Sequence, residues 1–323
     1  MRFAASRGQP TLAAMNESPA PQPIVVGYDG SEQANDALAL GAALANATGA
    51  RLLLAGAYGP DDVVRHEALD ARRADMRERL VAVAESLPPD ASLQVQQRAV
   101  PGSSVAAALQ ALAEAEDPRA LVLGSCHRGA VGRVMIGGVA DRLLHGSPCP
   151  VVVAPRGLTE RGPVELNTVC VGFDGSSEGW TALQRASQLA AAAGARLRIA
   201  LAVPAPTGMP MPVFPPEVVK ERLEAAQTEL DRARQSVSKR LEPESRLLRG
   251  NPAEQLAAEA RRGVDLLVVG SRGYGPLRRV LLGSVSAALM HAAPCPVMVV
   301  PRSAEFQPTA DGMAAEDELM ASR

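Results

Sequence analysis

Aromatic residues are scarce: one Trp, three Tyr and four Phe make up 2% of the 323 residues. Base stacking on aromatic platforms is therefore poorly supplied, which argues against a reader of single-stranded nucleic acid. The core must be built from Ala, Val and Leu instead. Charge of one sign is lacking too, since 33 Lys and Arg face 35 Asp and Glu for a net charge of −2. That balance removes the electrostatic footprint of a protein that grips nucleic acid or an anionic membrane through its overall charge. The four cysteines, Cys126, Cys149, Cys170 and Cys295, are too few for a disulfide framework, and a reducing cytoplasm is the expected compartment. Residues 1–22 hold no apolar core of signal-peptide length; rich in Ala, Pro and Ser, they read as a disordered leader with Met15 as an alternative start. The longest uncharged stretch, 199–216, contains Pro204, Pro206, Pro210, Pro212, Pro215 and Pro216, which excludes a membrane-spanning helix. What remains, 47% hydrophobic and 21% charged, reads as globular, and the length suggests two domains.

Self-similarity supports that division. The run Ile24-Val-Val-Gly-Tyr-Asp-Gly-Ser31 is answered by Val169-Cys-Val-Gly-Phe-Asp-Gly-Ser176, and Asp29 and Asp174 lie 145 positions apart. Near the other end of the unit, Ser147-Pro-Cys-Pro-Val-Val-Val-Ala-Pro155 is answered by Ala293-Pro-Cys-Pro-Val-Met-Val-Val-Pro301, and Cys149 and Cys295 lie 146 apart. Two markers at opposite ends share one offset to within a residue, so the chain is a tandem duplication. The expected organisation is a leader over 1–22, a domain over 23–156, a linker over 157–166, a second domain over 167–302 and a disordered tail over 303–323.

Within the second unit, apolar runs alternate with helical patterns. Strands are expected at 168–173, 196–203, 245–249, 265–269 and 297–300, with helices at 178–193, 217–241, 253–261 and 284–291. The first unit repeats the order, with strands near Ile24, Leu52, Leu93, Leu121 and Val151. Continuous apolar strands such as Leu266-Leu-Val-Val269 imply a parallel sheet covered on both faces, hence two five-stranded doubly wound α/β domains.

Gly and Asp cluster where the first and fourth strands end, the place where open α/β sheets bind ligands. In the second unit the fourth strand runs into Gly270-Ser271-Arg272-Gly273, then nine residues, then Gly283-Ser284. Gly270 and Gly273 let backbone approach a bulky anion. Gly283 and Ser284 open a short helix whose free amides favour phosphate, with the Ser284 hydroxyl as cap or direct donor. Asp174 can accept hydrogen bonds from a ribose or an adenine amine, and Arg272 and Arg279 supply positive charge.

The spacing G-x2-G-x9-G-S after a strand resembles the ATP-binding signature of the universal stress protein family. The V-G-x-D-G-S opening and the G-S-V-S…H-x-x-P-C-P-V ending are similar to the tandem form of that family, over about residues 23 to 302. The resemblance implies Rossmann-like domains of strand order 3-2-1-4-5 and a regulator of stress survival that binds ATP, with or without Mg²⁺, and has no established reaction. It places adenine and ribose at Gly172, Asp174 and the backbone near Ala202, and phosphates at Gly270, Ser271, Arg272, Gly273, Arg279, Gly283, Ser284, Val285 and Ser286. In the first unit it points to Gly27, Asp29, Gly124, Ser125, His127, Arg128, Arg133, Gly137, Gly138 and Val139. It also implies that final strands pair antiparallel, here within one chain as a pseudo-twofold unit, with a homodimer and an unidentified regulatory protein as further partners and neither nucleic acid nor membrane among them.

The first unit departs from the signature. His127 stands where the second Gly is expected, and Gly138 and Ala140 replace Ser284 and Ser286. Two lost hydroxyls, at about 1 to 2 kcal/mol each for bonds to a charged group, predict the stronger site in the second unit. Asp29 and Asp174 have a plainer reading as turn residues. His145 and His291, four residues before Cys149 and Cys295, do not have the spacing of a zinc motif and read as structural. Cys126 beside His127 is a weak case for a reactive thiol, and the charged run 65–79 reads as the solvated face of an amphipathic helix. The rival functions are an ATP-using enzyme, for which no Gly-x4-Gly-Lys-Ser/Thr run is present, and a nucleotide-free scaffold whose glycines serve packing.

Overall fold

The computed structural model describes residues 22–59, 66–87, 93–128, 130–204, 215–271 and 282–301. The leader, except for its last residue, and the tail expected from sequence lie outside the described residues. The first half runs β1 (Ile24–Gly27), α1 (Glu32–Thr48), β2 (Leu52–Tyr58), α2 (His66–Ser86), β3 (Val95–Pro101), α3 (Val105–Glu116), β4 (Ala120–Gly124), α4 (Gly138–Leu144) and β5 (Val151–Ala154). The second repeats it with β6 (Thr168–Phe173), α5 (Ser177–Ala193), β7 (Arg196–Val203), α6 (Pro216–Ser236), β8 (Glu244–Arg249), α7 (Pro252–Ala260), β9 (Leu266–Gly270), α8 (Ser284–Leu289) and β10 (Val297–Val300).

All ten strands form one sheet in the order β3-β2-β1-β4-β5-β10-β9-β6-β7-β8, so each half has the order 3-2-1-4-5. The halves join where β5 and β10 pair antiparallel, with Val297 opposite Val153, Met298 opposite Val152 and Val299 opposite Val151. Val152 and Met298 are equivalent positions of the duplicated unit and face each other directly, so the pseudo-twofold axis passes through that pair. Every other neighbouring pair of strands is parallel. Strand side chains alternate between two cores: Ile24 and Val26 join the one under α1, α2, α5 and α6, while Val25 joins the one under α3, α4, α7 and α8.

The Asp-Gly-Ser repeat starts a helix in the same way twice. Asp29 Oδ1 accepts from Ser31 N at 3.0 Å, and Asp174 Oδ1 from Ser176 N at 3.1 Å. Between them Gly30 and Gly175 sit at φ +87° and +77°, where a side chain would be strained. Ser31 and Ser176 then cap α1 and α5 by accepting from Ala34 N and Gly179 N.

Two helices stop earlier than their sequence pattern. The charged amphipathic segment expected to reach Leu241 ends at Ser236, because Val237 is extended and Ser238 caps a separate 3-10 turn, Lys239–Leu241. α8 ends at Leu289 and His291 lies beyond it. Between β5 and β6 a 3-10 turn, Thr159–Arg161, is tied to α1: the buried carboxylate of Asp36 accepts from Gly157 N at 2.7 Å and from Thr159 N and Oγ1, each at 2.9 Å.

The two halves anchor their third helix differently. In the second, Arg198 on β7 and Glu259 on α7 form a buried ion pair at 3.1 Å, and Arg198 also meets Glu244. Leu109 and Leu256 lie against equivalent glycines, Gly27 and Gly172, so Glu259 corresponds to Leu112 and Arg198 to Leu53, both buried in an apolar core. The first half carries its ion pair one turn later, where Arg51 and Arg98 both hold Glu116. Burial would push the Glu116 carboxyl up, but hydrogen bonds from Arg98 and Arg51 outweigh it and hold the group below its ordinary value. Among the described residues no helix is long and apolar enough to cross a membrane.

Candidate functional site

The strand order reverses between β1 and β4 in one half and between β6 and β9 in the other, which opens a crevice at the carboxyl ends of those strands. A cleft of about 440 Å³ occupies it in the second half and one of about 600 Å³ in the first. Both fall in the usual range for small-molecule sites.

In the second cleft the structure brings together Gly172, Asp174, Ala202, Gly270, Gly283, Val285 and Ser286. Arg272, Gly273 and Arg279 lie outside the described residues. Ser271 turns away: its side chain is buried against Leu143, Ser147 and Val299 at the seam between the halves, and its hydroxyl has no hydrogen-bond partner among the described residues. The capping role expected of Ser284 is not taken up. Gly283 occupies the N-cap without a side-chain bond, and Ser284 is the exposed first residue of α8. Ser286 is not a spare donor either, because its hydroxyl donates to Gly270 O at 2.8 Å and pins α8 to the end of β9.

The first cleft gathers Gly27, Asp29, Gly124, Ser125, His127, Gly137, Gly138 and Val139. Ser125 is committed to the fold: its amide and hydroxyl both donate to Ala154 O, and its hydroxyl accepts from Met135 N. Arg128 and Arg133 are exposed on the following loop, outside the lining of the cleft. Cys126, weighed above as a reactive thiol, is half-buried in the wall.

The glycines divide into two kinds. A Cβ on Gly124 would stand 2.2 Å from Gln33 O, and one on Gly270 would stand 2.9 Å from Glu178 O, so both allow the end of the fourth strand to touch the first turn of a helix. At Gly138 an added Cβ meets nothing within 4 Å. That position borders open cleft space, and packing does not require a glycine there.

Sequence reasoning missed several lining residues. Arg222 and Ala226 reach the second cleft from α6, a helix from which no site residue is expected. Their spacing of four places them on one face, the only local signal for it. Tyr28 lines the first cleft and donates to Asn35 Oδ1 at 2.9 Å; burial, then Asp29, pushes its hydroxyl pKa up. Phe173, its counterpart, packs edge-on against Trp180 with ring centroids 5.0 Å apart. Cys149, Cys170 and Cys295 are buried core residues, and burial raises the Cys170 thiol to about 12. His145 Nδ1 lies 2.7 Å from Asp141 O at the end of α4.

Comparison with known proteins gives the following. The profile of the universal stress protein family matches residues 21–155 and again 165–301. A universal stress protein of Mycobacterium tuberculosis is 29% identical over 290 residues, 87% of this chain and 97% of the relative. Another, from Mycobacterium bovis, is 33% identical over 211 residues, 61% of this chain and 69% of the relative. The crystal structure of a universal stress protein from Archaeoglobus fulgidus shares the fold with a TM-score of 0.62 at 19% identity, covering 87% of this chain and 98% of that one.

Proposed function

This chain belongs to the universal stress protein family, and from that premise we propose that it is an ATP-binding regulator of the stress response, with the nucleotide held in the second cleft and, more weakly, in the first. The observation that carries the reading is the recurrence of a ligand-sized cleft at both strand-order reversals, with open space beside Gly138 that packing does not explain. Gly172, Asp174 and Ala202 suit an adenosine, and Arg222 adds a positive charge that the signature does not predict. The turn at Gly283, the amides that open α8, and Arg272, Gly273 and Arg279 are assigned to the phosphates.

Among the described residues no group of three or more His, Cys, Asp or Glu side chains is placed to hold a metal. Asp174 and Glu178 are the carboxylates lining the second cleft. Mg²⁺ therefore enters this reading as the companion of the ATP phosphates rather than as a resident of a protein cage. Occupancy acts by fixing the cleft loops, which present a surface to a regulatory partner or to a second copy in the cytoplasm. The packing roles of Gly27, Gly124, Gly172 and Gly270 favour a second reading, a nucleotide-free scaffold, but they do not account for the open space at Gly138.

Denaturing the purified protein and chromatographing the supernatant separates the readings. Released ATP, or ATP binding on titration, supports the regulator. ADP with steady phosphate release makes the protein an enzyme, and no nucleotide with no binding leaves the scaffold.

A further inference from the structure

The loop that follows β4 does not stay within its own half. Val134, fully buried, donates its amide to Ala293 O at 2.9 Å, and Ile136 donates to Met290 O at 3.2 Å. Both acceptors lie in the turn that ends α8 of the second half. Between them Met135 faces home: its amide donates to Ser125 Oγ, and its carbonyl accepts from Cys126 N at 2.6 Å. Residues 134–136 thus form a two-sided tie, bonded alternately to the wall of the first cleft and to α8.

The chemistry of a helix end explains why this tie forms. The last carbonyls of a helix have no intrahelical partner and need donors from elsewhere, and here the first half supplies one of them at Met290. The opposite end of the same six-residue helix, with Gly283, Val285 and Ser286, borders the second cleft. One short rigid element therefore touches one cleft with its first turn and the loop of the other cleft with its last. The connecting segment braces the tie: Arg161 donates to Gly132 O at 3.0 Å and to Pro294 O at 3.2 Å, and its turn is held to α1 by the buried Asp36.

We infer that the two clefts are coupled through the 134–136 tie and α8, so that filling one raises the affinity of the other. The inference rests on the nucleotide reading above and specifies its regulation. A ligand in the first cleft, against Cys126 and Gly137, further restrains residues 130–137, which fixes the end of α8 and with it the first turn at the second cleft. The second ligand then has less to order, and the effect is reciprocal. Arg161 is a positioning residue in this scheme and touches neither cleft.

The experiment pairs calorimetric titration of the full chain with Mg²⁺-ATP and amide hydrogen exchange without ligand, for wild type, Arg161→Ala and Val134→Ala. Expected in the wild type are two ATP per chain, with the product of the two stepwise association constants roughly fivefold or more above that of the variants. Each variant is expected to lose that gain while two sites of unequal affinity remain. Exchange in both variants should rise together in 130–137 and in 284–290. Two independent sites in the wild type, or faster exchange confined to 130–137, overturns the coupling. If ATP binds nowhere, the nucleotide reading falls, and the coupling that rests on it falls too; exchange rising in both segments would then show only that the mechanical tie is real. Arg161 is exposed, so its variant keeps the test decisive should Val134→Ala fail to fold.

Discussion

The two halves of the chain solve the same problems with different chemistry, and the pattern of difference separates structural constraint from site. Where a Cβ would press on the backbone of a neighbouring helix, at Gly124 and Gly270, both halves hold glycine, and they also do so at Gly27 and Gly172 against leucine side chains, whereas Gly41, whose Cβ would meet the Val26 side chain, is answered by Ala186. Where the demand is only to fill space or tie two elements, the solutions diverge. Tyr28 hydrogen-bonds Asn35 in one half, while Phe173 packs on Trp180 in the other. Met76 covers Gly56 in the first half, whereas Leu201 and Ala226 share the equivalent space in the second. An apolar Leu53 and Leu112 stand where the second half buries Arg198 and Glu259. Backbone geometry is thus the inherited part, and side-chain partnerships are interchangeable provided each is internally complete.

The most disruptive way to break the comparison is to break the seam. Val299→Pro removes a ladder donor from a strand paired on both sides, and a loss of at least about 3 kcal/mol is expected. X-ray scattering should show the halves drawn apart, and a compact particle with unchanged melting would mean that other contacts join them.

The buried ion pair offers a sharper comparison. Glu259→Leu alone leaves Arg198 in the core with Glu244 and the Arg262 carbonyl, and denaturant unfolding should report a cost of about 3 kcal/mol, the low end for half of a buried pair. The double change Arg198→Leu with Glu259→Leu copies the first half into the second and is expected to be neutral or stabilising. A double variant as unstable as the single one would show that the apolar solution is not transferable.

A smaller effect is expected at the cleft. Gly138→Ser places a hydroxyl where Ser284 stands in the second half, and open space awaits it. One bond to phosphate at about 1.5 kcal/mol tightens ATP at the first cleft about tenfold. Calorimetry that finds no change would remove the missing hydroxyl as the reason for a weaker first site.

The smallest concerns Glu116, whose folded pKa lies below its ordinary value. The stabilisation is present above the unfolded carboxylate pKa and is lost as pH falls through the folded value. Glu116→Gln should cost below about 1 kcal/mol at neutral pH, and the gap from wild type should close on acidification. A gap that persists in acid would assign the cost to packing.

Much of the fold was legible because the chain is written twice. Asp29 with Asp174 and Cys149 with Cys295 gave the duplication, and apolar runs gave the strands, since a buried parallel strand has few ways to look otherwise. The end of α6 was not legible, because no proline or glycine marks the break at Val237. Side-chain commitments were also hidden: Ser271, Ser284 and Ser286 look alike in sequence, yet one is buried at the seam, one is exposed at the start of α8 and one pins α8. Asp36 could not be found from local pattern, since the amide it accepts at Gly157 is 121 residues away.

Carrying both halves of the β5–β10 pairing on one chain has a consequence for dose and for divergence. Two separate single-domain proteins joined by such a short ladder dissociate on dilution, whereas covalent connection holds the partner strand at an effective concentration on the order of millimolar. The pairing here is therefore indifferent to how many copies a cell contains. A self-associating subunit must also accept every substitution twice, once on each side of its axis. This chain is released from that symmetry, and one cleft can be retuned while the other keeps its original ligand.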